Sequence, residues 1–262
     1  MTPKLMGVVN VTPDSFSDGG LFLDAEAAIE HGLELAEQGA EILDVGGEST
    51  RPGALEVSAE EERGRIEPVV AGVAEAGHAV SVDTSKSVVA EAALDAGASI
   101  VNDVTALRGD PEIAGLCAER GVSLVLMHMR GDPRTMQIEP RYEDVVDEVK
   151  AFLAERIEFA VAAGVSEERI WLDPGIGFGK TLEHNLELLR RLGELRELGR
   201  PLVVGTSRKS FIGKIDGSEV GDRLGGTIAS SVLAATEGAD VLRVHDVAES
   251  RQALLLATAI LG

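Results

Sequence analysis

Polar and ionisable side chains recur where the apolar, β-branched runs of this sequence end. They are Asn10, Glu48, Asp83, Asn102, Asp103, His128, Asp173, Lys209, Arg243 and His245. Polar groups inside strongly apolar strands cost free energy unless they are paired. A single aspartate or asparagine at a strand end is often only a turn residue or a helix cap. The coincidence of so many at the same end of the strands indicates a binding or catalytic site.

The types of these residues suit a heterocycle and a phosphate. A carboxylate at Asp83 beside a carboxamide at Asn102 can bind a planar heterocycle that offers several N–H donors. Arg51, with hydroxyls at Ser49 and Thr50, can grip a phosphate with two hydrogen bonds, although an exposed loop arginine has the same sequence pattern.

Cations follow the last two apolar runs. Arg208 and Lys209 lie in SRKS (207–210), and Arg243 and His245 lie in RVHD (243–246). In a (β/α)₈ barrel this corner commonly binds phosphate. A lysine there can instead form a Schiff base, so an aldolase-like reaction stays open.

Two further features bear on ligands. Asn10 offers one oxygen to Mg²⁺, which usually keeps several waters and takes further oxygens from a substrate phosphate. The sequence shows no carboxylate or histidine cluster that would build a complete protein cage for a metal. In DPGIGFGK (173–180), Pro174 stands where a Walker loop needs glycine, so we interpret the glycines as allowing close backbone approach, with Phe178 as an aromatic wall.

Eight apolar runs alternate with eight amphipathic helical patterns. The predicted strands are 5–10, 41–46, 79–84, 99–104, 122–129, 169–174, 201–206 and 240–245. The predicted helices are 24–39, 59–77, 86–96, 111–120, 141–163, 181–199, 222–237 and 247–261. Glycines typical of helix C-termini precede seven strands, at 39, 77, 97, 121, 164, 199 and 238.

This alternation predicts a parallel sheet. Eight units in about 250 residues predict an α/β fold of the (β/α)₈ TIM-barrel type, in one domain over residues 1–262. An open doubly wound sheet is the alternative, but no Gly-rich dinucleotide fingerprint follows the first strand. Long loops at about 11–23, 47–58, 130–140 and 207–221 follow strand ends, where barrel enzymes carry their active sites.

Composition limits the partners. The 262 residues include 24 Lys+Arg and 45 Asp+Glu, a formal net charge of −21. This balance argues against nucleic acid and against an anionic membrane surface. We find no run of about 18 apolar residues that would span a membrane. A single cysteine excludes an internal disulfide framework, and with no export signal we expect a cytoplasmic protein.

Eight segments together resemble the dihydropteroate synthases of the folate pathway. They are MGVVNVTPDSFSDGG (6–20), DVGGESTRPG (44–53), SVDTSK (81–86), VNDV (101–104), LMHM (126–129), DPGIGFGK (173–180), GTSRKSFIG (205–213) and RVHDV (243–247). One such motif would be weak, but eight in family order span almost the whole chain. Ile176 departs from the aromatic residue that is frequent in the family.

The resemblance implies a barrel that condenses 6-hydroxymethyl-7,8-dihydropterin pyrophosphate with p-aminobenzoate and releases 7,8-dihydropteroate and pyrophosphate. The pterin site that it implies comprises Asp83, Asn102, Asp173 and Lys209, lined by Met127 or Met129. The implied pyrophosphate site comprises Asn10, Thr50, Arg51, Arg243 and His245, with Mg²⁺ on Asn10. Pro52, Phe178, Ser207 and Lys209 would border p-aminobenzoate, where sulfonamides compete.

The implied catalytic residues are Asp83, Asp173, Lys209, Arg243 and His245. We expect pyrophosphate to leave first, the two acids to stabilise the resulting carbon cation, and loops 12–20 and 49–53 to close over the site. A pterin-dependent methyltransferase barrel and a non-catalytic pterin-binding barrel are the alternatives within this fold. The resemblance also favours a homodimer, for which helices in 222–261 offer apolar surfaces.

Overall fold

The structure is a computed structural model that describes residues 2–12, 21–49, 54, 56–131 and 135–261, with the backbone alone at 21–24. The predicted site residues Thr50, Arg51 and Pro52, and most of the predicted closing loops, lie outside the described residues.

The described part of the chain contains eight parallel strands. They are β1 (Lys4–Asn10), β2 (Ile42–Gly46), β3 (Ala79–Asp83), β4 (Ile100–Asp103), β5 (Ser123–Met127), β6 (Ile170–Asp173), β7 (Val203–Val204) and β8 (Val241–Val244). Hydrogen-bonded neighbours run in the order β6-β5-β4-β3-β2-β1-β8-β7, and a parallel bridge between Leu172 and Leu202 closes the sheet. The predicted (β/α)₈ barrel is therefore confirmed, and the open doubly wound sheet is excluded.

Nine α-helices lie within the described residues. They are α1 (Leu21–Gln38), α2 (Ala59–Glu75), α3 (Ser87–Asp95), α4 (Glu112–Arg120), α5 (Val145–Ala162), α6 (Leu182–Arg190), α7 (Ser210–Asp216), α8 (Leu224–Thr236) and α9 (Val247–Leu261). The eight predicted helices are confirmed, and α7 is an addition in the predicted loop 207–221. Its seven residues are too few to show a helical period in the sequence, although Phe211 and Ile212 are buried.

Two predicted helix bounds are wrong for identifiable reasons. The helix predicted at 141–163 begins at Val145, because the Asp144 side chain accepts hydrogen bonds from the backbone N–H groups of Val146 and Asp147 and caps it there. The helix predicted at 181–199 ends as an α-helix at Arg190 and continues as a 3₁₀ helix, Leu192–Leu198. Gly193, a poor helix former, lies just after the break.

The predicted helix-ending glycines are confirmed. All seven have positive φ, from +63° at Gly121 to +112° at Gly39. A residue with a Cβ rarely adopts this conformation, so these positions end each helix and turn the chain back into the barrel.

The barrel interior is built in layers. Its floor is an apolar cluster formed by Met6, Ile42, Ile100, Val125, Val203 and Val241, with Trp171 packed against it. Side chains two residues further along a strand face the same side of the sheet. That rule places Asp44, Asn102, Asp173 and Arg243 in the layer above the floor, toward the C-terminal ends of the strands.

A second, larger core of mostly aliphatic side chains lies between the barrel and its helices. No helix in the described ranges combines the length and the apolar character needed to cross a lipid bilayer.

Candidate active site

An arginine between two carboxylates forms the centre of the polar layer. Arg243 Nε lies 2.6 Å from Asp44 Oδ2, and Arg243 Nη2 lies 2.9 Å from Asp83 Oδ2. The Asn102 carboxamide donates to the same Asp44 oxygen over 3.2 Å. The Asp44 side chain is fully buried and that of Asp83 is 9% exposed. Four strands, β2, β3, β4 and β8, are thereby joined by charged or polar side chains inside the barrel.

Asp44 is the residue that sequence reasoning missed. The sequence predicts Glu48, beyond the end of β2, as the polar residue of that strand, and the structure places Asp44 in the site instead. The available signal was an aspartate in the middle of ILDVG, which a buried strand tolerates only with a partner. Its partner Arg243 lies 199 residues away along the chain.

Asp83 has unusual acid–base properties. Burial raises the pKa of Asp83 to about 7, with Arg243 lowering it and Asp44 raising it further. For Arg243, burial lowers the guanidinium pKa, but Asp44 and Asp83 outweigh burial and hold the pKa above its ordinary value. Asp83 Oδ1 is buried and has no hydrogen-bond partner among the described residues. A carboxylate oxygen in this condition is suited to accept an N–H from a ligand.

A second acid and a lysine lie across the barrel mouth. Asp173 Oδ1 accepts the backbone N–H of Gly175 over 2.7 Å. Burial raises the pKa of Asp173, and the Lys209 ammonium opposes this effect. Burial lowers the pKa of Lys209 to about 8, opposed by Asp173. Lys209 Nζ donates to the carbonyl of Ile176 and lies 4.7 Å from the centre of the Phe178 ring.

An apolar wall completes this side of the site. Met127 and Met129 are buried in one cluster with Val104 and Met136, and Phe178 packs against it. The register of the sheet pairs Met127 with Asp173, so the wall begins beside the second acid. Polarisable methionines and an aromatic ring are suited to contact a flat ring system.

Ser207 and His245 adjoin the cations. The Ser207 hydroxyl lies 2.9 Å from His245 Nδ1 and accepts the backbone N–H of His245 over 3.3 Å. Arg243 Cβ and Lys209 Nζ each lie 3.6 Å from where a Cβ on Gly205 would stand. The end of β7 is therefore flanked by both cations, as expected from the sequence motifs.

Three polar residues from the strand ends do not join this group. His128 faces outward, with its ring 4.9 Å from that of Phe152 on α5. Asp103 accepts hydrogen bonds from the backbone N–H groups of Thr105 and Leu107, which is turn chemistry. Glu48 pairs with a lysine outside the barrel.

This lysine is Lys86, and its contacts with Glu48, Val57 and Glu62, which we call the clamp, lie at the base of the loop after β2. Lys86 Nζ donates to Glu48 Oε2 over 2.7 Å, to Glu62 Oε2 over 2.6 Å and to the carbonyl of Val57 over 2.7 Å. Glu48 also accepts the backbone N–H of Val57 over 3.0 Å, which ties the two ends of the loop together. In the sequence, Thr50, Arg51 and Pro52 lie between these two ends.

Asn10 lies half-buried at the end of β1, in register with Gly46 of β2. No three histidine, cysteine, aspartate or glutamate side chains gather to hold a metal in the described part of the chain. A carboxamide oxygen fits Mg²⁺ if the substrate brings most of the other ligands, because this ion usually keeps waters and phosphate oxygens.

Comparison with known proteins identifies the family. A family model described as "Pterin binding enzyme" matches residues 6–245. A dihydropteroate synthase of Neisseria meningitidis serogroup C is 48% identical over 256 residues, which is 96% of this chain and 90% of the relative. The chain belongs to the dihydropteroate synthase family of pterin-binding enzymes.

Solved structures of the family have the same fold. The dihydropteroate synthase of Xanthomonas albilineans with 4-aminobenzoic acid is 50% identical, with a TM-score of 0.93 over 99% of this chain and 93% of that one. The dihydropteroate synthase of Yersinia pestis in a sulfonamide drug complex is 43% identical, with a TM-score of 0.94 over 99% of this chain and 94% of that one.

Proposed function

We propose that this chain condenses 6-hydroxymethyl-7,8-dihydropterin pyrophosphate with p-aminobenzoate, giving 7,8-dihydropteroate and pyrophosphate. The observation that carries the proposal is the convergence of buried acids and cations at one end of the barrel, in a member of the dihydropteroate synthase family. A heterocycle with N–H donors and an anionic leaving group needs both kinds of group side by side.

In this proposal the pterin lies in the mouth of the barrel, against the apolar wall. Asp83 Oδ1, which has no partner among the described residues, accepts an N–H of the ring. Asn102 and Asp173 present further polar atoms, both buried. Met127, Met129 and Phe178 contact the flat face. Buried polar atoms that require a donor favour a heterocycle that supplies one over an apolar ring.

The first chemical step breaks the bond between the pterinylmethyl carbon and the pyrophosphate oxygen, and the electron pair leaves with pyrophosphate. Arg243 and His245 stabilise the charge that develops on the leaving group. The carbon becomes cationic and is conjugated with the pterin. Asp83 and Asp173 lie in a layer with little access to water, where two carboxylates stabilise a cation more strongly than they would in solvent.

The second step forms the carbon–nitrogen bond. The p-aminobenzoate amine attacks with its lone pair and then loses a proton, and it needs no strong base because the arylamine is neutral at pH 7. Ser207, Phe178 and Lys209 border this substrate in the proposal, with Pro52 from the loop after β2. Sulfonamides compete at the same place.

Mg²⁺ belongs to the proposal as a cofactor. Asn10 would hold it together with the substrate's phosphate oxygens, and Thr50 and Arg51 would contact the same pyrophosphate. When bound, Mg²⁺ neutralises part of the charge that the leaving group acquires. Chelation should abolish product formation and added Mg²⁺ should restore it, and full activity in a chelator would remove the ion from the proposal.

A homodimer through the C-terminal helices is the proposed assembly. Large apolar side chains are exposed on α8 and α9, which contact each other. They are Leu224, Leu233, Leu255, Leu256, Ile260 and Leu261. Exposed apolar surface of this kind favours a second copy of the chain.

Light scattering should give twice the 27.5 kDa of one chain, and replacing both Leu233 and Leu256 by glutamate should give the single mass. Ile138→Glu, at an exposed apolar residue away from these helices, is the control that should stay dimeric. A monomeric wild type would contradict the assembly. Cytoplasmic location is also part of the proposal, supported by one buried free thiol at Cys117, and fractionation tests it.

The experiment that tests the function mixes the protein with pterin pyrophosphate, p-aminobenzoate and Mg²⁺. We expect dihydropteroate and pyrophosphate in equal amounts. Binding of the pterin without release of pyrophosphate would favour a non-catalytic barrel. Covalent trapping of a carbonyl substrate on Lys209 by borohydride would favour the Schiff-base reaction, and methyl transfer with a corrinoid protein would favour the methyltransferase.

A further inference from the structure

A fully buried lysine stands behind the loop that contacts Lys209. The Lys180 side chain is 1% exposed. Its Nζ lies 2.8 Å from His128 Nδ1, 2.9 Å from the carbonyl of Gly175 and 3.0 Å from the carbonyl of Phe178. An ammonium has three N–H donors, and these three acceptors are nearer than a fourth, the carbonyl of His128 at 3.4 Å.

The surroundings of Lys180 carry little compensating charge. Burial lowers the pKa of Lys180 well below its ordinary value, although Asp173 opposes the effect. Burial and the charge of Lys180 lower the pKa of His128 to about 2, so its neutral ring serves as an acceptor. A surface lysine would avoid this cost. The hydrogen bonds that Lys180 Nζ makes in its buried position must therefore offset the cost of burying it.

Two of the acceptors of Lys180 Nζ are carbonyls of the turn from Gly175 to Gly179. Gly175, Gly177 and Gly179 all have positive φ, between +62° and +86°. A Cβ on Gly175 would stand 1.9 Å from the carbonyl oxygen of His128, so the turn lies directly on the end of β5. Lys180 Nζ donates hydrogen bonds to the carbonyls of Gly175 and Phe178, near the two ends of the turn.

The front of the same turn makes the two close contacts of Lys209. Lys209 Nζ donates to the carbonyl of Ile176, and the Phe178 ring lies 4.7 Å from it. A Cβ on Gly177 would stand 3.2 Å from Lys209 Cδ, so the chain at Gly177 passes close to this lysine. Displacement of the turn would displace the carbonyl and the ring together.

We propose that Lys180 is a positioning residue that fixes Lys209 in the site through the Gly175–Gly179 turn. Lys180 contacts neither substrate in this account. It acts through backbone carbonyls, and the residue that it positions is one that the proposed function places against both substrates. The inference thus deepens the proposed function and rests on it for the effect on catalysis. The contacts that connect Lys180 to Lys209 through the turn do not depend on any reaction.

The decisive measurement follows the titration of Lys209 itself. The chain has six lysines, so ¹³C-labelled lysine gives a simple NMR spectrum, and Lys209→Arg assigns the signal. The charged groups that act on Lys209 are Asp173 of β6, Arg243 of β8 and Asp83 of β3. All three remain when Lys180 is changed, but loss of the Lys180 ammonium would by itself raise the Lys209 pKa. A crystal structure of the variant therefore accompanies the titration: an Ile176 carbonyl displaced from Lys209 Nζ supports the proposal, and an undisplaced carbonyl would overturn it.

In Lys180→Met the turn loses its central donor and water gains access to Lys209. We expect the Lys209 pKa to rise from about 8 toward its ordinary value of 10.5. A rise of about one pH unit or more is the expected size for partial loss of burial. Dihydropteroate formation should lose about 10- to 100-fold in kcat/KM, the scale of an ångström-sized misplacement.

Lys150→Met is the matched control, because Lys150 is a lysine on α5 that pairs with Glu197 at the surface. It should leave both the Lys209 titration and kcat/KM unchanged. If Lys180→Met does not give a native circular dichroism spectrum, Lys180→Gln replaces it, since glutamine keeps a donor at the end of the side chain.

An unchanged Lys209 titration with unchanged kcat/KM would overturn the proposal. So would failure of both variants to fold, because Lys180 would then be needed for the fold and not for the site. A wild type that titrates as expected but makes no dihydropteroate would refute the proposed function and leave the positioning role standing.

Discussion

Asp44 offers the sharpest test of how the barrel interior is held together. The proposed change is Asp44→Asn, which keeps the shape of the side chain and removes its charge. Asp44 is fully buried and accepts from Arg243 Nε over 2.6 Å and from Asn102 over 3.2 Å. After the change, Arg243 keeps Asp83 as its one remaining carboxylate partner among the described residues.

The magnitude follows from the burial of the pair. Breaking a buried ion pair from one side costs about 3–5 kcal/mol. Because Asp83 still contacts the guanidinium, we expect the lower end, about 3 kcal/mol in the free energy of unfolding. At about 2 °C per kcal/mol for a chain of this length, this corresponds to a fall in Tm of about 6 °C.

The same change should alter the acid–base behaviour of the site. The negative charge of Asp44 raises the pKa of Asp83, so its removal should lower that pKa below about 7. The acid limb of the kcat/KM profile should then move to lower pH. Differential scanning calorimetry and a pH series of initial rates measure the two effects.

Ser81→Ala is the control in the same layer. Ser81 is in register with Asp44 on the neighbouring strand, and its buried hydroxyl has no hydrogen-bond partner among the described residues. Its removal should change the free energy of unfolding by less than about 1 kcal/mol. The reasoning fails if Asp44→Asn lowers Tm by less than about 2 °C and leaves the acid limb in place.

Three more predictions concern the active site and its loop. The dependence of the wild-type kcat/KM on pH should be bell-shaped, rising as Asp83 ionises near pH 7 and falling as Lys209 loses its proton near pH 8. A kcat/KM that stays constant from about pH 6 to 9 would contradict both assignments. Lys86→Met should lower Tm and raise KM for p-aminobenzoate, because it leaves Glu62 buried without its cation and frees the base of the loop after β2. Arg63→Met, at a solvent-exposed ion pair, should change Tm little and leave this KM unchanged. Equal effects of the two variants would refute the role of the clamp. Substrate with ¹⁸O in the bridge between carbon and phosphorus should exchange its label into non-bridging positions when p-aminobenzoate is absent, and a label that stays in place would argue against early departure of pyrophosphate.

The fold was readable from the sequence because its signals are local. Each strand is a short β-branched run, and the glycine before it ends the preceding helix with positive φ, as at Gly121 and Gly39. The short helix α7 was not predicted, since seven residues cannot display a period of 3.6.

The ends of the strands indicated where the site lies, but not which polar residues share it. Asp83, Asp173, Lys209 and Arg243 influence one another's pKa values, as their positions at strand ends had suggested. His128 also follows a strand end, but it faces outward, because neighbouring residues of a strand point to opposite sides.

Pairings between distant strands were invisible in the sequence. The aspartate in ILDVG indicates that Asp44 needs a partner but not which one, and nothing in the sequence marks Lys180 as buried. Arg243 comes from the last strand to meet Asp44 of the second, and His128 comes from the end of β5 to meet Lys180. Such contacts depend on which strands lie near one another in the folded sheet.

The most direct test of the account compares dihydropteroate formation by the wild type and by Asp83→Asn in the presence of both substrates and Mg²⁺. We expect product and pyrophosphate from the wild type, and a kcat lower by about 100-fold or more in the variant, because the amide cannot stabilise a developing cation as the carboxylate does. Full turnover by Asp83→Asn would contradict the role of this buried carboxylate.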